Sequence, residues 1–109
     1  MNEVHAEKVD WRRRNGRDHY VGRLDAGCGA VRLVGRKPAT GIEIALTIPF
    51  EEIEQVRASE SIDETLVGEP CVVIEPAHSA AILVREVGTE KPQPAELVAR
   101  LKAVRRRVR

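Results

Sequence analysis

The order of hydrophobic periods does most to narrow what this chain can fold into. Seven short stretches of strand character come first, and a single stretch of helical period closes the sequence. The clearest strand is Ile42, Ile44, Leu46 and Ile48 alternating with Glu43, Ala45 and Thr47, a pattern that buries one face and wets the other. From Ala95 the period changes to 3.6 residues, and Leu97, Val98, Leu101, Val104 and Val108 form one apolar stripe behind Pro94, a residue suited to a first helical position. An apolar stripe must lie on something, and the simplest support is an open end of the β-structure. The expected fold is therefore mainly β with one C-terminal α-helix: a bent seven-stranded antiparallel barrel or sandwich. Residues 1–109 form a single domain in this reading, with strands over about 4–87 and a capping helix over about 95–108.

Local signals divide the chain further. Asn15-Gly16 predicts a two-residue hairpin loop, because both residues tolerate positive φ. In that register Arg14 faces Arg17, Arg13 faces Asp18, Arg12 faces His19 and Trp11 faces Tyr20, giving an aromatic and an opposite-charge cross-strand pair. Asp25-Ala26-Gly27-Cys28-Gly29 is a glycine-rich turn, and Gly35 to Gly41 a loop with Pro38 inside it. Glu51 to Gln55 begins as a helical turn before the weaker strand Ile53–Ala58, and 59–68 reads as a polar loop. Cys71 to Ile74 is apolar on both faces, the mark of a central strand. Pro76 to Ser79 turns the chain, and Ala80 to Val87 completes a hairpin.

Charge is balanced overall at a formal +1, so no global field draws the chain to nucleic acid or a bilayer. It is unevenly placed. Between Glu51 and Glu75 stand eight acids against one base, Arg57, whereas bases gather at Arg12, Arg13, Arg14 and Arg17 and again from Arg100 to Arg109. The first ten residues lack the apolar centre of a secretory leader, and no eighteen apolar residues run together, so a cytoplasmic protein without a transmembrane segment is expected. Cys28 and Cys71 are then reduced thiols acting as buried or half-buried small hydrophobes; two cysteines make no metal site.

Several phrases together resemble the pleckstrin-homology (PH) superfamily, in particular its small bacterial members of unknown role. They are Tyr20-Val21-Gly22-Arg23-Leu24, Val31-Arg32-Leu33-Val34-Gly35, Ile48 to Val56, Gly68 to Glu75, and the helix with Glu96-Leu97 and Leu101. The resemblance runs from Val9 to Val108 and rests on positions of architecture, so it implies a fold and a binding role. PH-like domains bind phosphoinositide headgroups through basic residues around the first hairpin, or peptides between the terminal helix and a neighbouring strand. Carried onto this chain, the first mode implies an anion site at Arg12, Arg13, Arg14, Arg17 and His19, with His19 standing where the lipid-binding pattern has a second base. Arg13 and Arg17 with Asp25 to Ala30 also resemble the two-part cyclic di-GMP signature of PilZ domains, from which Gly27 and Ala30 depart.

No constellation points to catalysis. His5, His19 and His78 show no ligand spacing, Gly27 and Gly29 lack a phosphate-loop lysine, and Glu51-Glu52 sits where a turn is solvated. Trp11, Tyr20 and Phe50 are too few for a stacking platform, so Arg105-Arg106-Arg107-Val108-Arg109 reads as a dipole-matched helix end, with nucleic acid not expected as a partner. The sequence thus predicts a non-catalytic binding or scaffolding module without cofactor or metal. Its expected partner is a protein, a second copy of the chain included, or an anionic surface contacted weakly as lipid; cyclic di-GMP is the alternative ligand.

Overall fold

A computed structural model describes residues 3–66, 68–88 and 93–107, with backbone alone for Arg106 and Arg107. Strands β1 (Val4–Arg13), β2 (Tyr20–Gly27), β3 (Ala30–Arg36) and β4 (Glu43–Pro49) form an antiparallel meander. A 3₁₀ turn at Phe50–Glu52 leads into β5 (Ile53–Ala58). A second 3₁₀ turn, Ile62–Glu64, precedes the two-residue strands β6 (Thr65–Leu66) and β7 (Glu69–Pro70), after which come β8 (Val72–Pro76), β9 (Ile82–Glu86) and the helix α1 (Pro94–Arg107). One seven-stranded sheet carries the order β4-β3-β2-β1-β9-β8-β5, while β6 and β7 pair apart from it. Its ladders are antiparallel throughout. The sheet bends into a half-barrel whose two edges are β4 and β5, and α1 lies against β5 and touches β8, β1 and β2. The mainly β fold with its C-terminal helix is the architecture the periodicity predicts.

The alternation along each strand explains the core. Val31 and Leu33, with Leu24 and Ala26 on the neighbouring strand, face Ile53, Val56, Val72 and Ile74 across the interior, and the stripe Leu97, Val98, Leu101 and Val104 closes it. Val108, the stripe's last member, lies outside the described residues. At the centre Trp11 is fully buried, its ring centroid 4.7 Å from that of Tyr20, and its Nε1 donates to the Val34 carbonyl at 3.3 Å. Gly35 makes room for this indole, and its partner Gly22 lets β2 approach the β3 backbone closely. A Cβ on Gly35 would stand 2.7 Å from Trp11 Nε1, and one on its cross-strand partner Gly22 would lie 1.9 Å from the Val34 carbonyl oxygen. The sheet can curve tightly around the tryptophan only because neither position carries a side chain.

β8 is apolar on both faces for a reason. Val72 and Ile74 enter the main core, whereas Cys71 and Val73 join Leu66 and Leu83 in a second small cluster on the opposite face. The segment expected as a polar loop, 59–68, is the lid of that second cluster: it carries the 3₁₀ turn, β6 and a buried glutamate, Glu64, 2% exposed.

Two expectations need correction. The register Trp11 opposite Tyr20 is observed, but the ladder stops there, and 14–19 form a six-residue loop. Along its other edge β1 pairs with β9 from Val9 to Arg13, setting Arg12 against Leu83 and Arg13 against Ile82, while the Arg14 amide donates to the Ala81 carbonyl at 2.8 Å. Arg13 and Asp18 are therefore no pair; Asp18 takes Lys37 at 2.9 Å and thereby raises the lysine's pKa. The two-residue turn with positive φ sits in the next hairpin, at Cys28 (φ 53°) and Gly29 (φ 85°) between Gly27 and Ala30. Cys28 is consequently exposed at a hairpin tip, not packed in the interior, whereas Cys71 is buried. No helix among the described residues is long and apolar enough to cross a membrane.

Candidate functional site

A polar clamp organises one end of the sheet. Arg57, the lone base of the acidic stretch, projects from β5 and binds Glu64 through both guanidinium NH₂ groups, at 2.8 and 2.5 Å. Its Nε donates to Glu75 at 3.3 Å, and the Glu60 amide adds a bond to Glu64 at 3.0 Å. These donors hold the Glu64 carboxyl at a pKa of about 2, Arg57 being the largest cause, while the paired carboxylates raise the guanidinium's pKa. A bidentate pair this well sheltered fixes the 59–66 segment onto β5. The Cys71 thiol donates to the Glu64 carbonyl at 3.2 Å, and burial pushes its pKa up to about 11, so it is a packing group with little thiolate character.

Arg12 and Arg14 are drawn to the same clamp. Arg12 donates to the Thr65 carbonyl at 3.2 Å and the Arg14 carbonyl at 3.1 Å; Arg14 itself lies 3.6 Å from Glu64. Above them opens a cleft of about 780 Å³. Arg12, Arg14 and Asn15 form one wall, Glu54 and Glu75 with Asp63 line it from β5, β8 and the 3₁₀ turn, and Ser79, Ala80 and Ala81 close the end. Ile62, at the start of that turn, stands on the rim with 87% of its surface exposed. Geometry forces this position: the turn that points Glu64 inward to Arg57 leaves Ile62 pointing out.

Of the five predicted anion-site residues, the structure brings Arg12 and Arg14 together in the cleft. Arg13 is exposed on β1, Arg17 is exposed in the loop, and neither lines the cleft. His19 turns away toward Asp10, its Nε2 3.3 Å from a carboxylate oxygen without hydrogen-bond alignment, and Asp10 is held on its other oxygen by Arg85 at 2.7 Å. The two parts of the cyclic di-GMP pattern stand apart: Arg17 precedes β2, whereas Asp25 to Gly27 are its last three residues and Cys28 to Ala30 follow, so the strand from Tyr20 to Asp25, roughly 17 Å long, separates them. The C-terminal arginines from Arg106 onward lie outside the described side chains, while Arg105 donates to the Ile53 carbonyl at 2.5 Å.

Sequence reasoning missed Glu54, Ile62, Asp63 and Glu75 as cleft residues. One signal was present: a single arginine among eight acids has to satisfy some of them, and Arg57 does. A second polar group, His5, sits elsewhere, with Nδ1 2.7 Å from Asp25 and Nε2 3.0 Å from Glu3, contacts that raise its pKa, Asp25 first. Among the described residues no group of three or more His, Cys, Asp or Glu side chains is placed to hold a metal ion. No protein-family model, no curated protein and no solved structure matches the chain.

Proposed function

We propose that this chain is a non-catalytic binding module that takes a segment of a protein partner in the cleft beside β1. One observation carries the reading. The cleft draws arginines from the β1 side and carboxylates from β5, β8 and the 3₁₀ turn, with an exposed isoleucine at its rim. An anionic surface or headgroup would gain little there, because Glu54, Asp63 and Glu75 share the space and Arg12 and Arg14 already serve carbonyls and Glu64. A peptide carrying both charge signs and an apolar anchor matches all three features. The kinship with PH-like binding modules expected from the sequence is part of this proposal, supported by the antiparallel meander and its closing helix.

The test uses the full chain. Short peptides selected from a display library against the immobilised protein are titrated into the ¹⁵N-labelled protein. Shifts centred on Arg12, Arg14, Ile62 and Ser79, abolished by Ile62→Asp, are the expected result. Ile62 is exposed, so this change leaves the fold intact. Selected peptides that bind equally well to Ile62→Asp and Arg14→Glu would overturn the assignment, as would co-sedimentation with phosphatidylserine vesicles that Arg12→Ala abolishes.

A further inference from the structure

We propose that the free edge of β4 pairs antiparallel with the same edge of a second copy of this chain, about a two-fold axis at Ala45. Two half-barrels would thereby share one continuous sheet. The backbone already specifies the register. Lys37 donates to the Ile42 carbonyl at 2.9 Å and the Phe50 amide donates to Gly29 at 2.8 Å, so the even-numbered residues of this segment direct their backbone groups toward β3. By the alternation of an antiparallel ladder, Glu43, Ala45 and Thr47 direct theirs away from the sheet, toward the open edge.

Two copies can therefore pair only odd residue with odd residue. With the axis at Ala45, Glu43 meets the second copy's Thr47, Ala45 meets Ala45, and Thr47 meets Glu43, for about six new backbone bonds. Moving the axis one residue toward Pro49 would set that proline, which has no N–H, against Glu43. Moving it the other way would bring Gly41, held at φ 76° in a turn, into the ladder. The Ala45 register avoids both.

Side chains agree with the backbone. On the inner face Ile44 would lie opposite Leu46, and Ile42, 60% exposed in the single chain, opposite Ile48. On the outer face Arg36 sits beside Glu43 at 3.0 Å and Arg32 beside Thr47. Across the proposed joint the row reads Arg32, Thr47, then Glu43 and Arg36 of the second copy. Thr47 is short, so the Arg32 guanidinium can pass over it to a carboxylate two strand spacings away, roughly 10 Å between Cα atoms. Arg32 has no ion pair among the described residues, since its cross-strand neighbour Asp25 is held by His5 and Arg23. The edge also lacks the usual obstacles: no bulge interrupts β3–β4, no charge points inward, and proline occurs only at the strand's last position.

Sedimentation of the full chain across a concentration series should show mass rising from 12.1 kDa toward twice that value. Ala45→Lys places two ammonium groups face to face and should raise the dissociation constant about tenfold, with an unchanged melting profile of the monomer because Ala45 is exposed. Register is read by oxidised glutathione in a Cys28→Ser background. Ala45→Cys should cross-link, its thiols lying on Cα atoms about 5.5 Å apart, whereas Thr47→Cys, four residues from its twin, should not. A 12.1 kDa species at every concentration, or cross-linking through Thr47→Cys in preference to Ala45→Cys, overturns the proposal.

Discussion

At its β5 edge the sheet is bulged between Ile53 and Gln55, covered by α1, and capped where Arg105 donates to the Ile53 carbonyl at 2.5 Å. At its β4 edge the ladder with β3 runs unbroken from Ala30–Pro49 to Arg36–Glu43, and Ile42 stands in solvent. Both edges belong to one sheet and are joined by a single 3₁₀ turn, Phe50–Glu52, so the contrast does not come from the fold's general shape. It comes from where the helix lands and from side chains on one side alone. Unpaired edges invite association, and native sheets blunt them with bulges, charges or a covering element. This chain applies those devices to β5 and leaves β4 a plain alternating strand.

The contrast can be broken most forcefully at the helix. Leu101→Ala removes a side chain buried between α1 and the sheet, and should cost about 3–4 kcal/mol in urea unfolding. The variant should also show new concentration-dependent association, because it loosens the cover of β5. The second lever is the clamp that anchors the 59–66 segment to β5. Arg57→Ala leaves Glu64 buried without its bidentate partner and should cost about 3 kcal/mol at neutral pH. The pH dependence carries a definite sign. Glu64 has a folded pKa of about 2 against an ordinary 4.5, so its contribution is complete above pH 4.5 and is lost as pH falls toward 2. Arg57→Ala should flatten that acid limb of the stability profile, measured by chemical unfolding at a series of pH values. The smallest effect sharpens the comparison at one hydrogen bond. Arg105→Ala frees the Ile53 carbonyl and should cost about 1 kcal/mol, with hydrogen exchange accelerating at the C-terminal turn of α1 and near Ile53 while β4 amides stay as they were.

Much of the architecture was legible because it follows from period. Ile42 to Ile48 alternates and is β4; Leu97, Val98, Leu101 and Val104 repeat helically and are the buried face of α1. The two-faced apolarity of 71–74 correctly marked an interior strand, although nothing local said what covers its second face. The tight hairpin at Asn15-Gly16 did not form: β1 runs on to Arg13 along its other edge with β9, while β2 begins only at Tyr20, so the ladder with β2 ends at Trp11. The turn with the required positive φ falls on Cys28-Gly29, at the end of the glycine-rich stretch 25–29 read as a turn, with β2 running on to Gly27. The cleft was half legible. Its arginine wall lies in one short run of sequence, whereas its acidic wall gathers Glu54 and Glu75 from the paired strands β5 and β8, distant in sequence, and Asp63 from the turn that Arg57 and Glu64 hold against them.

The stacking of Trp11 on Tyr20 equips the molecule with a built-in optical gauge. The chain holds one tryptophan and one tyrosine, and their rings lie 4.7 Å apart in the interior. At that range light absorbed by the tyrosine should pass to the indole, whose full burial should shift its emission to the blue. Unfolding separates the rings, reddens the indole and restores tyrosine emission, so two independent signals report on one residue pair. Trp11 points into the core while its neighbour Arg12 points to the cleft, so the gauge reads the interior of the sheet without any added label.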